Sequence, residues 1–181
     1  RKILGENEKL KRRQGQVLIN NGGEQFIDET FLLWPSLPSG VIGTSIADYN
    51  QDGFPDVFLV YGNAQNRLLI NNGVGKFIDK TDYLLPRMID QSTHADWADF
   101  DLDGDQDLVV GNNGTNQLFV NRLKFKTGGI YPVVKDLGVV NDITWGDYNN
   151  DGLLDLAMGG SDLETPGGGY VNVIENQANH I

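Results

Sequence analysis

Short apolar runs separated by polar turns recur along the chain. The segment VLINNGGEQFIDET at 17–30 returns as LLINNGVGKFIDKT at 68–81, and a weaker copy begins at Leu118. Each of the two clear copies has an apolar run, a turn containing Asn and Gly, and a second short apolar run. This order is typical of a β-hairpin. The segment 171–181 resembles the opening of a fourth copy.

A second pair of strands is predicted in each unit, on either side of an acidic segment. The acidic segments begin at Asp48, Asp99 and Asp147, so the period is about fifty residues. With the hairpin, each unit contains four short strands, which is the pattern of a β-propeller blade. We therefore predict an all-β chain of antiparallel blades. The strands beside the acidic segments are predicted at 45–47, 96–98 and 144–146 before them, and at 56–62, 107–113 and 155–160 after them.

The whole chain, 1–181, is expected to form a single repeat region. The approximate repeats are 16–62, 67–113 and 117–160, with partial flanking blades at 1–15 and 169–181. Propellers have about four to eight blades, so roughly three repeats are too few to close a ring. We expect an incomplete ring that is part of a larger propeller, is completed by partner subunits, or stacks openly.

Composition narrows the classes of function. The formal charge is −11, and eleven of the 25 acidic residues lie in 48–56, 99–107 and 147–155, so the other 14 balance the 14 basic residues. Charge concentrated in three loops indicates cation sites, and so acidic a chain disfavours a nucleic-acid partner. No apolar stretch approaches the ~20 residues of a membrane span. The lack of cysteine excludes disulfides and thiolate metal sites.

The acidic loops are DYNQDGFPD, DFDLDGDQD and DYNNDGLLD. Oxygen-bearing side chains recur at the first, third, fifth and ninth positions, and glycine at the sixth permits the sharp turn that brings them together. A set of about six oxygen ligands without His or Cys favours Ca²⁺ over zinc or copper, and Mg²⁺ ranks second. The predicted side-chain ligands are Asp48, Asn50, Asp52 and Asp56 in the first loop, Asp99, Asp101, Asp103 and Asp107 in the second, and Asp147, Asn149, Asp151 and Asp155 in the third; the predicted backbone ligands are the carbonyl oxygens of Phe54, Asp105 and Leu153.

Two other interpretations of these loops fit the sequence less well. Asp, Asn and Gly form polar turns without any ion, but three loops in register would hold repelling carboxylates close together. An EF-hand needs Glu at the twelfth position and flanking helices, whereas this chain has Leu59, Val110 and Met158 there, between strands. We therefore predict three Ca²⁺ sites, with the most acidic middle loop binding tightest. Asp103→Ala should lower calcium affinity and stability together.

The D-x-[DN]-x-D-G-x-x-D loops, with FIDKT at 77–81 and ADFDLDGDQDLVVGN at 98–112, resemble FG-GAP/VCBS-type repeats. That family forms calcium-bearing propeller blades in integrin α-subunits and in bacterial surface proteins. The resemblance covers nearly the whole chain and implies that the loop positions named above are the metal ligands. It does not imply one activity, because the family includes adhesins, lectins, receptor ectodomains and accessory domains of enzymes.

No catalytic group is expected. Ser92, His94 and Asp96 would share one face of a strand, but a surface or blade-packing role is expected for His94, and His180 is expected to be incidental. Trp97 and Trp145 occupy the place of Ile46 in the first repeat, which favours packing between blades. The aromatic residues of the connections either pack or stack on a ligand; they are Trp34, Tyr83, Tyr131 and Tyr170.

These observations favour a non-enzymatic, calcium-stabilised module that binds a protein or glycan at the cell surface or outside the cell, where calcium is abundant. Three alternatives stay open. The first is a lectin-type propeller that binds a saccharide. The second is an accessory domain of a polysaccharide-active enzyme. The third is a self-assembling subunit that associates through unpaired strand edges.

Overall fold

The computed structural model describes residues 16–23, 25–122, 130–133, 138–162 and 167–177. The flanking segment 1–15 and His180 lie outside these ranges, as do the last residues of the flanking segment 169–181. Within them the chain is built from small antiparallel sheets, as the hydrophobic pattern predicted, and it forms no closed ring.

The described chain begins with an isolated hairpin, followed by a four-stranded sheet. The hairpin pairs β1 (Leu18–Asn20) with β2 (Phe26–Asp28). The first sheet has the order β3 (Val41–Ala47), β4 (Asp56–Tyr61), β5 (Arg67–Asn71) and β6 (Phe77–Asp79).

Two further sheets repeat this arrangement. The second sheet follows the chain order of β7 (Ser92–Ala98), β8 (Asp107–Asn112), β9 (Asn116–Phe119) and β10 (Ile130–Val133). The third contains β11 (Val139–Gly146), β12 (Asp155–Ser161) and β13 (Gly169–Ile174). The sheets therefore span 41–79, 92–133 and 139–174, so each sheet combines the end of one sequence repeat with the start of the next.

The FID-x-T motif shapes the exit from two hairpins, β1–β2 and β5–β6. After β6, Asp79 Oδ1 accepts a hydrogen bond from Thr81 N at 3.0 Å, and Thr81 Oγ1 accepts one from Leu68 N at 3.0 Å. One helical turn, Thr81–Leu84, follows. Thr30 makes the equivalent bond after β2, where its hydroxyl accepts from Val17 N at 2.8 Å and begins the turn Thr30–Leu33. The motif therefore fastens the end of the hairpin to its beginning.

Consecutive sheets pack face to face, and their first strands, β3, β7 and β11, lie beside one another. Phe58 and Val60 of β4 face the second sheet, where they pack with Trp97 and Leu108. Neighbouring residues of β4 point to the opposite face and pack under the connection that precedes β3. Because both faces are covered, every residue of β4 and of β8 is buried.

The second and third sheets approach closely at Gly111. A Cβ atom at this position would lie 2.8 Å from both Ile143 Cδ1 and Val140 Cγ1, which is nearer than real Cβ contacts come. Val109 and Leu118 continue the same interface. Glycine is therefore required at 111 by the packing of two sheets and not by a turn.

The described ranges contain two helices, and each is a single turn. Neither is long enough to cross a membrane.

Candidate metal centre

The three acidic loops adopt the same backbone conformation. Each joins the first and second strands of a sheet. The fourth position has positive φ in all three, at 58° for Gln51, 58° for Leu102 and 59° for Asn150. The sixth-position glycines also have positive φ, at 86°, 93° and 88°. Positive φ at a non-glycine residue is uncommon and costs energy. Its recurrence at one position of three loops indicates that the side chains of the loop impose the conformation.

The first-position aspartate closes each loop. The Asp48 Oδ2 atom accepts a hydrogen bond from Gly53 N at 2.8 Å, and Asp147 Oδ2 accepts one from Gly152 N at 2.9 Å. The same bond in the middle loop joins Asp99 Oδ2 to a glycine amide at 3.1 Å. A side chain at these glycine positions would need the same strained φ. Both the aspartate and the glycine are therefore fixed by loop geometry.

The fifth-position aspartate orients the seventh residue. The backbone amides of Phe54, Asp105 and Leu153 each donate to the fifth-position carboxylate at 2.9 Å. In the outer loops the third-position asparagine lies against the same carboxylate: the Nδ2 atom of Asn50 donates to Asp52 Oδ2 at 2.8 Å, and its counterpart in the third loop does so at 2.9 Å. The first, third and fifth positions are thus linked by hydrogen bonds in both outer loops.

The ninth-position aspartates are the most buried acids in the part of the chain that the structure describes. Asp56, Asp107 and Asp155 are at most 1% exposed. In each, one carboxylate oxygen accepts a hydrogen bond from the backbone amide of the second loop residue. The other accepts one from the backbone amide of an asparagine at the end of the third strand or two residues beyond it, and all six distances are 2.7–3.1 Å. Burial raises the pKa of Asp56 and of Asp107 from 3.8 to about 6, although these hydrogen bonds oppose the rise.

The middle loop gathers the densest group of carboxylates. Ligand oxygens of Asp99, Asp101 and Asp107 lie within 4.8 Å of one another. The Oδ1 atoms of Asp99 and Asp101 are buried and accept no hydrogen bond within the described ranges. Burial, and then the nearby Asp103 charge, raises the pKa of Asp101. Buried acceptors are normally satisfied, so two such oxygens on members of an acidic cluster fit the ligand set of a cation site.

The donor set of this cluster can hold a hard metal ion. All the groups that converge there are oxygens, and neither histidine nor cysteine contributes. In the outer loops the same positions are present, with asparagine in place of the third aspartate. Every predicted side-chain ligand therefore lies in one of three equivalent loops. Among the described residues, the middle loop brings three carboxylates close enough to coordinate one ion.

Three asparagines that were not predicted as functional residues connect the loops to the sheets. Asn71 Nδ2 donates to the carbonyl oxygen of Pro55 at 3.2 Å. Asn121 and Asn176 donate in the same way to their own loops, and each also bonds to the loop of the preceding sheet, at 3.0 Å. The recurrence of asparagine 14 or 15 residues after the ninth aspartate was the available signal for the first two.

Two further polar residues were also missed. Gln51 of the first loop donates through Nε2 to Gly104 O and to Asp105 Oδ1 of the second loop, both at 2.7 Å. Arg122 pairs with the middle loop, Nη1 lying 2.7 Å from Asp103 Oδ2 and Nη2 lying 3.2 Å from Asp101 Oδ2. No local motif marks either residue, because each contact depends on how distant segments pack.

The other candidate residues lie outside the loops. A register irregularity between Ser92 and His94 breaks the simple alternation that would have placed them on one face with Asp96. His94 Nε2 lies 3.4 Å from Asp142 Oδ1 of the next sheet, which agrees with a blade-packing role. Burial raises the pKa of Asp96 in the same interface.

The packing expected of the tryptophans is confirmed. Trp97 and Trp145 belong to the inter-sheet cores, and Trp34 makes an edge-to-face contact with Phe77 at 5.2 Å between ring centroids.

Comparison with known proteins agrees with this geometry. The family model described as FG-GAP-like repeat matches the chain twice, at residues 48–110 and 99–158. Each match begins at the first residue of an acidic loop and extends into the sheet that carries the next one. No curated protein matches the chain. The two matches together cover more than half of the sequence, and the chain belongs to the FG-GAP-like repeat family.

Proposed function

We propose that this protein is a non-enzymatic interaction module whose three acidic loops each bind a structural Ca²⁺ ion, and that it works at the cell surface or outside the cell. The observation that carries the proposal is the middle loop, where Asp99, Asp101 and Asp107 converge with two unsatisfied buried oxygens. The outer loops share its backbone conformation at the fourth and sixth positions. An all-oxygen donor set without histidine or cysteine favours calcium.

The bound ion would stabilise the junction of neighbouring sheets. The ninth aspartate of each loop receives two backbone amides, one from its own loop and one from beyond the third strand. Through Asn121 that second segment also contacts Tyr49 O of the preceding sheet. A cation that neutralises the buried carboxylate removes the main cost of burying it. Calcium binding and sheet packing are therefore expected to support each other.

Equilibrium dialysis against calcium tests this proposal directly. The intact chain should bind three calcium ions, and Asp48→Asn, Asp99→Asn and Asp147→Asn should each remove one. The control is Asp82→Asn, which changes an exposed acid outside the loops. Binding of three ions by every one of the four variants would overturn the proposal. So would a folded, unmodified chain that binds no calcium.

Further sheets of the same kind are the partner that the geometry supports best. The second-position aromatic of each of the first two loops contacts a tryptophan of the next sheet: Tyr49 lies 6.3 Å from Trp97, and Phe100 lies 5.8 Å from Trp145, between ring centroids. The equivalent residue of the third loop, Tyr148, is 58% exposed. It borders a cleft formed with Thr144, Ala157 and Val173.

The exposed face around Tyr148 fits an apolar side chain from a neighbouring blade. The second sheet covers the equivalent face of the first sheet, and the third sheet covers the equivalent face of the second. A propeller completed by additional blades would cover this face of the third sheet, whether those blades belong to the same polypeptide or to another subunit. Sedimentation velocity of the unmodified chain and of the Tyr148→Asp variant, at several concentrations, tests whether this face mediates association. A concentration-dependent oligomer that persists in the variant would contradict that role.

A further inference from the structure

Arg122 is positioned as a cation for the middle metal loop. It directly follows Asn121, whose backbone amide donates to Asp107 Oδ1 at 2.7 Å, so the main chain is held beside the loop. From there its guanidinium reaches Asp103 Oδ2 at 2.7 Å and Asp101 Oδ2 at 3.2 Å. These carboxylates are the third and fifth ligand positions of the loop. A positive side chain therefore pairs with two of the groups that would bind the metal.

The other two loops lack this arrangement. The residues that follow the equivalent asparagines are Asn72 and Gln177, which are neutral. The third ligand position is also neutral there, with Asn50 and Asn149 in place of Asp101. The additional carboxylate and the arginine thus occur together in one sheet. The side-chain ligands carry a formal charge of −3 in each outer loop and −4 in the middle loop. The arginine offsets the additional ligand charge, and Asp105, which is not a side-chain ligand, leaves a further negative charge in the middle loop.

The arginine leaves part of the middle site free for an ion. Its contacts are to the Oδ2 atoms, whereas the Oδ1 atoms of Asp99 and Asp101 are buried without a hydrogen bond. The Arg122 side chain is 47% exposed, so it can move toward solvent without a large packing loss. An entering divalent cation and the guanidinium would repel each other across the shared carboxylates.

We propose that Arg122 acts as a built-in competitor of calcium at the middle loop and keeps the affinity of that site well below what its four carboxylates would otherwise give. The inference rests on the proposed calcium-binding function. In the absence of the ion, the guanidinium neutralises the carboxylate cluster. When the ion binds, its attraction to the carboxylates is opposed by the fixed positive charge. Arg122 thus sets the affinity of the middle loop and is not a metal ligand.

A purely structural ion pair would behave differently. If Arg122 only held the loop in shape, Arg122→Gln would loosen the ligands and weaken calcium binding. If it competes with calcium, the same change strengthens binding at the middle loop and leaves the third loop unchanged. The expected gain is about tenfold, because the arginine is half exposed and its repulsion of a divalent ion is screened by water.

The sixth-position glycines permit a site-by-site measurement in the intact chain. The amides of Gly53, Gly104 and Gly152 each donate to the first aspartate of their own loop, so their proton–nitrogen NMR signals report each loop separately. Calcium is titrated into the unmodified chain, Arg122→Gln, Arg122→Lys and Arg67→Gln. The last variant removes an arginine–aspartate pair of 2.9 Å outside the acidic loops and is the matched control.

The expected result is a lower dissociation constant at Gly104 in Arg122→Gln, with an unchanged value at Gly152. Any change at Gly53, which the Gln51 contact links to the second loop, should be smaller than the change at Gly104. Arg122→Lys, which keeps the charge, should remain within about threefold of the unmodified chain, and Arg67→Gln should have no effect on any loop. Unchanged or weaker binding at Gly104 in Arg122→Gln, with calcium still bound at all three loops, would overturn the role of Arg122 alone. No calcium response at any glycine of the folded, unmodified chain would overturn the proposed function and this inference together.

Discussion

Asn121 donates a hydrogen bond from Nδ2 to the carbonyl oxygen of Tyr49, 3.0 Å away and 72 residues earlier in the chain. The same nitrogen donates to Gln106 O at 3.2 Å. Asn176 repeats the arrangement with Phe100 O at 3.0 Å. One amide group therefore joins an acidic loop to the acidic loop of the preceding sheet, so the loops are part of the contact between sheets and are not independent surface turns.

Asn121→Ala should destabilise the fold. Asn121 is 1% exposed, and its loss leaves carbonyl oxygens without a donor at a buried junction. The expected decrease in the free energy of unfolding is about 1–3 kcal/mol. Urea unfolding monitored by tryptophan fluorescence measures it. The control is Asn141→Ala, which removes one exposed hydrogen bond to Ser161 Oγ and should cost no more than about 0.5 kcal/mol. Equal effects of the two changes would show that the inter-sheet bond contributes nothing.

Calcium affinity should depend on pH near 6. Burial raises the pKa of Asp56 and of Asp107 to about 6, so the folded chain without metal binds protons between about pH 4 and 6 that the unfolded chain has released. In chelator, stability should therefore fall as pH rises through this window. Calcium needs the ionised carboxylates, so its binding displaces those protons and strengthens as pH rises.

The first and second sites should bind calcium about tenfold more weakly at pH 5 than at pH 7.5. At pH 5 each site must release a proton from an aspartate whose pKa is about one unit higher than the pH. Isothermal titration calorimetry at several pH values, in buffers of different ionisation enthalpy, measures both the affinity and the protons released. Affinity that is independent of pH over this range, with no proton release, would contradict the displacement of protons by calcium.

Gln51 should couple the first loop to the second. Its Nε2 atom donates to Gly104 O and Asp105 Oδ1, both at 2.7 Å, so ordering of the second loop helps to order the first. Disabling the second site with Asp99→Asn should weaken calcium binding at the first loop by about fivefold, a coupling of about 1 kcal/mol. Gln51→Asn, which is too short to reach but tolerates the positive φ at this position, should remove the coupling. A double-mutant cycle with no interaction between the two changes would contradict this relationship.

The local parts of the structure could be predicted from the sequence. The strand predicted at 56–62 is observed as Asp56–Tyr61, and the one predicted at 155–160 as Asp155–Ser161. The sixth-position glycines have positive φ, as the requirement for a sharp turn indicated. These features depend on residues close in sequence, where periodicity and turn chemistry carry the information.

The long-range parts could not. Arg122 reaches Asp103 only because β8 and β9 return beside the loop, and nothing near Arg122 in sequence indicates that it pairs with acids 19 and 21 residues earlier. The irregularity at Ser92 and His94 is a property of two paired strands and cannot be derived from alternation along one. The rank of the middle loop as the tightest calcium site was predicted from charge alone, and Arg122 now adds an opposing charge to that prediction.

Thermal unfolding of this chain in calcium, in magnesium and in excess chelator tests the central claim most directly. Ions that bind only the folded chain should stabilise it by about 3–4 kcal/mol per site when calcium exceeds its dissociation constant by about 100- to 1,000-fold. We expect the melting temperature to be more than about 10 °C higher in calcium than in chelator, with a much smaller increase in magnesium. Equal melting temperatures in calcium and in chelator, for a chain that is folded in both, would show that the acidic loops are turns without a structural ion.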